Sequence, residues 1–333
     1  MTLRLGFAGG GAMARRHLGS LAEHPRATVV AVSDLDVAVA EETAAAAGGD
    51  VAYGDWEAML DGEQLDAVFV CTPPAAHRAP AVGAFERGIP VYLEKPLARA
   101  AADGEAIVEA WRRSGAVCAV GYQWRSVDLL DRLRAELGDD PPGLLVSRGL
   151  GPAERGRTSR WFEDARASGG ILFELASHDV DLQRAVAGPV VEVQAASASG
   201  LLASAAPGAP ELDDAVVVVM RFEGGGLGVV GLGWTDAQDP PVYSLDVLAT
   251  DVALRLDLDQ ELGLHGRSRG VDVDAAGSAD PRDASVARFL DAVSGAGQSA
   301  VACSPADALG TLHTLLSAEQ ALATGGRVTV EAG

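Results

Sequence analysis

The sequence predicts an α/β fold: a doubly wound parallel sheet over residues 1–122, then an α+β domain on an open, largely antiparallel sheet over residues 123–333. Three observations carry this. In the first part, continuous apolar runs alternate with Ala-, Glu- and Arg-rich helical patterns, as in a parallel sheet covered on both faces. In the second part, "VALRLDLD" (252–259) alternates strictly, with Val252, Leu254, Leu256 and Leu258 on one side and Arg255, Asp257 and Asp259 on the other. That is a strand wetted on one face. Between the first strand-like run and the first helical run stands a glycine cluster, "GFAGGGAMA" (6–14).

Taken in order, the first part predicts strands at "LRLGFA" (3–8), "TVVAVS" (28–33), "AVFVCT" (67–72), "PVYLE" (90–94) and "AVCAVGY" (116–122). Helical patterns fill about 13–39 around the second strand, then 36–47, 76–87 and 99–114. After residue 123 a helix is expected at "VDLLDRLRAEL" (127–137), another around "FELASHDVDLQRAVAG" (173–188), and then strand after strand. The apolar run "AVVVVM" (215–220) is one of these strands. "ASASGLLASAAPGAPE" (196–211) reads as a small-residue connection, Asp213 and Asp214 as the start of a strand, and "ADALGTLHTLLSAEQALATGG" (306–326) as a late helix closed by glycine. No internal repeat is present.

Composition excludes several classes. The chain has 333 residues, enough for two buried cores, and 48% are hydrophobic, as in a globular protein. A net charge of −21 without a concentrated basic patch argues against nucleic acid and anionic membrane surfaces as partners. The longest apolar run is far short of a membrane span. Cys71, Cys118 and Cys303 lie far apart with no Cys or His ligand spacing, so neither a disulfide framework nor a metal site is expected. Arg4 and "AMA" (12–14) mimic a secretory signal, but the glycines between them make a poor apolar core; a cytoplasmic location is expected.

The glycine cluster carries the first chemistry. Gly9-x-Gly11-x-x-Ala14 follows a strand and opens a helix. Glycines allow the tight turn and close approach of backbone to a pyrophosphate, and a small third residue lets helix and strand pack. The helix start, with Ala12 and Met13, presents unpaired N–H groups to phosphate oxygens. Asp34 lies 20 residues beyond Ala14, after the second strand, where an acid hydrogen-bonds a ribose 2′-OH. Its carboxylate would repel a 2′-phosphate, and residue 35 is Leu rather than Arg. NAD is therefore expected over NADP, with NADP still possible.

On the helix around 173–188, a 100° step places Leu175, Leu182 and Val186 on one stripe, with Glu174, His178 and Asp181 along its flank. Such a cluster marks either a cleft or a solvated helix edge. "EKP", Glu94-Lys95-Pro96, falls at the end of the strand "PVYLE" (90–94), the end where open parallel sheets bind ligands.

In combination and order, "GFAGGGAMARRH", "VFVCTPPAAH", "VYLEKPLA", "VGYQWR", "SGG" (168–170) and "ELASHDVD" resemble the Gfo/Idh/MocA oxidoreductases, the glucose-fructose oxidoreductase and inositol dehydrogenase family, over essentially the whole chain. The resemblance implies a Rossmann domain followed by a substrate-binding and oligomerisation domain. It also implies hydride transfer between NAD(P) and a secondary alcohol or ketone of a sugar, inositol or related polyol. His178 would be the general base and Lys95 the group stabilising the alkoxide. Glu174, in place of the Asp of an Asp-x-x-x-His-x-x-Asp pattern, would orient the imidazole, and Asp181 would accept from substrate hydroxyls. Cofactor contacts would come from Gly9, Gly11, Ala12, Met13, Ala14 and Asp34, and from Thr72, Pro73, His77, Glu94 and Lys95. Gln123, Trp124 and Arg125 would meet the substrate. A cis Lys95–Pro96 bond and a homodimer or homotetramer are also implied.

Other readings stay open. His17, after two arginines, reads as a surface residue, and His24, His265 and His313 as residues without supporting partners. Arg155, Arg157, Arg160 and Arg166 read as a solvated loop or as a site for the phosphate of a nucleotide-linked sugar, which would make the protein a nucleotide-sugar ketoreductase. A non-catalytic NAD(P)-sensing regulator is the third possibility; the joint presence of Lys95 and His178 argues against it.

Overall fold

In the computed structural model, which describes residues 2–21, 24–49, 51–151, 168–200, 213–235, 241–259 and 261–331, the chain forms two units. The first comprises Met1–Gln123 together with Pro281–Leu309. Its strands are β1 (Leu3–Ala8), β2 (Ala27–Ser33), β3 (Val51–Tyr53), β4 (Ala67–Val70), β5 (Val91–Leu93) and β6 (Cys118–Val120). All pair in parallel, in the order β3-β2-β1-β4-β5-β6. Helices α1 (Ala12–Leu21), α2 (Val37–Ala46), α3 (Trp56–Gly62), α4 (Arg78–Glu86) and α5 (Ala101–Ser114) join them.

The apolar runs become strands because they are buried on both faces: every residue of β4, β5 and β6 is buried. Phe7, Phe69 and Tyr92 stack across β1, β4 and β5 at centroid distances of 4.8 and 4.9 Å. Phe289 meets Phe69 and Tyr92 edge-on at 5.7 and 5.5 Å. Phe289 belongs to a helix, Pro281–Asp291, far along the chain, and Val286, Phe289 and Leu290 all enter this core. The chain thus returns to the first unit after leaving it at Gln123, so the second unit, Trp124–Asp280 with Gly310–Gly333, is not the unbroken stretch 123–333.

The sheet has six strands where five were expected. β3 and α3 were missed because β3 is a three-residue edge strand with half-exposed side chains, too short to show a period. One local signal was there: Asp55 caps α3 by accepting from the Ala58 N–H at 2.8 Å.

A 3₁₀ turn, Gln123–Ser126, carries the chain from the first unit into the second, and α6 (Leu129–Leu137) follows. Its strands are β7 (Leu144–Gly151), β8 (Val190–Ala198), β9 (Ala215–Phe222), β10 (Leu227–Trp234), β11 (Val242–Ala249), β12 (Val252–Asp257), β13 (Gly263–Ser268), β14 (Val271–Ala276) and β15 (Val328–Thr329). They form one sheet ordered β14-β13-β12-β11-β7-β10-β9-β8-β15, antiparallel except where β10 runs parallel to β7. Residues 196–198, expected in a connection, extend β8 because they pair with Ala215–Val217 of β9. One face is buried by alternation: Val216, Val218, Met220 and Phe222 point in, while Val217 and Arg221 are exposed. β12 alternates as expected.

One turn of π-helix, Leu172–Ala176, leads into α7 (Ser177–Ala187). The helix Pro281–Asp291 is α8, and the long helix Pro305–Thr324, α9, passes from the first unit to the second at Leu309. No helix among the described residues is long and apolar enough to cross a membrane.

Candidate active site

In the first unit the chemistry gathers where the strands end. β1 and β4 are neighbours though not consecutive, so their connections leave on opposite faces and open a crevice at the carboxyl ends. Gly9 stands there with φ +96°, and a Cβ on it would lie 2.8 Å from the Cys71 carbonyl carbon and oxygen. Only glycine fits. A Cβ on Gly11 would meet nothing within 4 Å, so the loop is open where a pyrophosphate would approach. The Gly11 carbonyl accepts the first α1 hydrogen bond from Arg15 N, so the N–H groups of Ala12, Met13 and Ala14 have no acceptor within the helix. Asp34, at the end of β2, accepts from Gly10 N at 2.9 Å through Oδ2 and from Asp36 N at 3.0 Å through Oδ1. Asp34 and the glycine loop are thus joined directly. A dinucleotide fits this arrangement.

At the end of β5, Glu94 is buried, 5% exposed, and the Lys95–Pro96 peptide is cis, as the resemblance implied. Glu94 Oε2 accepts from the Lys95 backbone N–H at 3.1 Å, and Oε1 accepts from His17 Nε2 at 2.5 Å. Burial pushes the Glu94 carboxyl up, but the hydrogen bond and charge of His17, with Lys95 beside it, outweigh this and hold it below the usual carboxylate range. His17 is therefore no surface residue. The signal was in the sequence: Ala14, His17, Leu18 and Leu21 follow i, i+3, i+4, i+7 and are all buried, while Arg15 and Arg16 point to water.

Thr72 and Pro73 are half-buried after β4. His77 is fully buried, with Nε2 2.8 Å from the Thr72 carbonyl and Nδ1 3.3 Å from the Leu97 carbonyl. Burial pushes its pKa down. Its ring braces carbonyls of the segments after β4 and after Lys95–Pro96.

The second unit gathers its polar groups on α7. Asp181, expected to face substrate hydroxyls, is 1% exposed and already engaged: Oδ2 accepts from Arg125 Nε at 2.6 Å and Oδ1 from Arg125 Nη2 at 2.9 Å. Thr311 Oγ1 donates to Oδ1 at 2.8 Å, and Arg184 Nη1 donates to Thr311 at 2.6 Å. Two residues expected to meet the substrate separately thus hold each other. Trp124 is buried, its ring 5.2 Å from that of His178 and 5.9 Å from that of Tyr243. His178 and Glu174 are half-buried, and so is Gln123, which closes the first unit.

The helical wheel drawn from the sequence does not hold here. The π-turn underwinds Leu172–Ala176, so the face shared by Glu174 and His178 is not set by a 100° step. Nor is α7 a half-wet helix: Ser177 and Asp179–Gln183 are all buried. Asp179 has no role assigned from the sequence. Burial pushes its carboxyl up to about 7, with a Ser147 hydrogen bond opposing. Gln183 Nε2 donates to Ser147 Oγ and to the Val229 carbonyl, both at 2.9 Å.

Of the remaining histidines, His265 has partners after all: Asp274 at 2.7 Å and Asp257 at 3.8 Å, on the exposed middle of β13. Arg155, Arg157, Arg160 and Arg166 lie outside the described residues.

A parallel sheet with an open glycine loop at its switch point, an acid beside that loop and Glu-Lys-Pro at a strand end defines a dinucleotide-binding oxidoreductase. Residues 3–122 match the oxidoreductase family with NAD-binding Rossmann fold, and residues 146–255 match the GFO/IDH/MocA C-terminal domain. The chain belongs to this family. It is 27% identical to a myo-inositol 2-dehydrogenase of Thermotoga maritima over 233 residues, 68% of this chain and 67% of that one. It is 28% identical to a D-apiose dehydrogenase of Paraburkholderia graminis, over 78% of this chain and 68% of that one. A levoglucosan dehydrogenase solved with NADH and L-sorbose superposes with a TM-score of 0.86 at 19% identity, over 100% of both chains. An Agrobacterium radiobacter oxidoreductase solved with NAD+, L-tartaric acid and magnesium gives 0.83, also at 19%, over 99% of both. At those identities the structural likeness shows the fold.

Proposed function

We propose that this protein is an NAD-dependent dehydrogenase or reductase acting on a secondary alcohol or ketone of a sugar, inositol or related polyol. The observation that carries the reading is Glu94-Lys95-Pro96 at the carboxyl end of β5, in the sheet whose switch point holds the open glycine loop. The relatives named as inositol and D-apiose dehydrogenases support the substrate class.

Gly9, Gly11, the start of α1 and Asp34 would hold NAD, and the bound nicotinamide supplies the hydride acceptor. What remains for the protein is the proton and the charge. Lys95 donates a hydrogen bond to the substrate oxygen and stabilises the alkoxide as the C–H bond breaks. His178 takes the hydroxyl proton, and Glu174 orients its imidazole. Asp181 acts through Arg125, fixing the guanidinium at the start of the unit rather than touching substrate. The exposed apolar residues of the second sheet, among them Val217, Leu227 and Leu248, support pairing of that face with a second copy of the chain. Three free thiols are in keeping with a reducing, cytoplasmic setting.

The test is a panel of free inositols, aldoses and polyols beside nucleotide-linked sugars, followed by NADH absorbance in both directions. Turnover of a free polyol or sugar is expected. Turnover confined to nucleotide-linked substrates moves the reading to a nucleotide-sugar ketoreductase. Tight NAD binding with no turnover across the panel sinks the enzyme reading.

A further inference from the structure

His17 and Glu94 form a buried pair that the reaction described above leaves without a task. The His17 ring is enclosed by Phe69 and Tyr92, at centroid distances of 5.4 and 5.1 Å. Among the described residues its Nδ1 has no hydrogen-bond partner, and the polar bond of this buried ring is the one to Glu94. A Cβ on Gly121, next to the end of β6, would stand 3.3 Å from both Glu94 oxygens; the glycine leaves just enough room for the carboxylate.

Burying a carboxylate costs several kcal/mol, and apolar residues of equal volume commonly stabilise a protein more. A packing role therefore does not explain the pair. What it does geometrically is specific. His17 lies on α1, the helix that opens on the glycine loop, and Glu94 hands its second oxygen to the backbone N–H of Lys95.

We propose that His17 is a positioning residue for Lys95, acting through Glu94: the chain His17 Nε2–Glu94–Lys95 N–H ties the cofactor-loop helix to the strand end that carries the lysine. This rests on the reading of Lys95 as the alkoxide-stabilising group. The lysine is then set from the helix of the cofactor loop by one hydrogen-bonded chain, while the loop keeps its own contacts. The chain works only while Glu94 is ionised, since a protonated carboxyl is a poorer acceptor for two donors. The other titratable groups facing Glu94 are Cys71 after β4, His77 before α4 and Tyr92 on β5. Burial keeps Cys71 and Tyr92 protonated and His77 neutral, so His17 and Lys95 are the groups that favour the charge.

Two substitutions separate positioning from packing. His17→Phe keeps an aromatic ring between Phe69 and Tyr92 and removes the donor; His17→Gln keeps a donor and removes the ring. The expected result is a fall in kcat of roughly ten- to a hundredfold in His17→Phe, the scale of a small misplacement of a reacting group. Its NAD affinity should stay within about threefold, because the loop contacts are separate. The acid limb of its pH–rate profile should move to higher pH, since Glu94 loses the bond that opposes its burial. His17→Gln should restore kcat to within about threefold of the parent.

Carbon-13 NMR titration of the Glu94 carboxyl, assigned with Glu94→Gln, should show the same upward shift in ligand-free His17→Phe. That readout needs no substrate, so it still decides the link between His17 and Glu94 if the panel above finds no turnover and the dehydrogenase reading fails. Equal impairment of the Phe and Gln variants, or full kcat in His17→Phe with an unmoved Glu94 titration, overturns the proposal. Should His17→Phe fail to fold, Glu94→Gln carries the comparison: reduced kcat with retained NAD binding supports it, and unchanged kcat overturns it.

Discussion

The two units bury acidic groups in opposite ways. In the first, Glu94 stands at the end of a strand, and its partners are one histidine and the next residue's own N–H. In the second, Asp179 and Asp181 lie along a helix buried on nearly every side. Their partners come from distant segments: Arg125 in the opening turn, Ser147 on β7 and Thr311 on α9. A strand end in an open parallel sheet is a predictable place for a functional group, because the topology itself leaves the carboxyl ends uncovered. A buried helix has no such address. Whether its acids face ligand, salt bridge or apolar neighbours depends on which remote segments fold against it.

The comparison can be broken most forcefully at the proposed reacting groups. His178→Ala and Lys95→Met should each lower turnover by about 10²–10⁴-fold. NAD affinity measured by calorimetry should hardly change, since the glycine loop and Asp34 are untouched. Full turnover in His178→Ala would leave the NAD-sensing reading as the better one.

Next in size is Asp181→Ala, which takes the buried carboxylate from the Arg125 fork. Removing one partner of such a pair costs roughly 3–5 kcal/mol, and the loss should appear in urea denaturation. If stability is unchanged but the substrate KM rises, Asp181 touches substrate after all and the pairing with Arg125 is incidental.

Asp179 gives a pH-dependent effect of the opposite sense. An unfolded Asp releases its proton near pH 4, whereas folded Asp179 holds it to about 7. Between those values the folded state binds more protons, so this group makes stability fall as pH rises, by roughly 1.4 kcal/mol per pH unit. Asp179→Asn removes the term. Its melting temperature should gain on the parent's between pH 5 and pH 8, and a constant difference across that range would show that Asp179 is ionised throughout.

The smallest expected effect is at the cofactor. Asp34 also holds Gly10 N and Asp36 N, so Asp34→Ala should narrow the preference for NAD over NADP and loosen both. Tighter NADP than NAD binding by the unsubstituted protein would refute the assignment of Asp34 to the ribose.

Much of the first unit was legible because its signals are local. Glycines at 9 and 11, an acid after β2 and apolar runs buried on both faces each obey rules that act within a few residues. His17 was legible too, on the buried stripe of α1, although the two arginines before it drew the reading toward the surface. The alternation of β9 and β12 likewise follows from one wet and one dry face, and required no knowledge of their neighbours.

Tertiary structure decided the rest. The sequence shows no reason for Pro281–Leu309 to rejoin the first unit, because Phe289 finds Phe69 and Tyr92 only once the parallel sheet exists to hold them in a row. It does show the residues Glu174, His178, Asp179 and Asp181, but a single π-turn resets which of them share a face. Arg125, 56 positions from Asp181 along the chain, takes both oxygens that a sequence reading assigns to substrate. Local chemistry fixes what a side chain is able to bind; the desolvation that makes it choose one partner arises only when distant segments close around it.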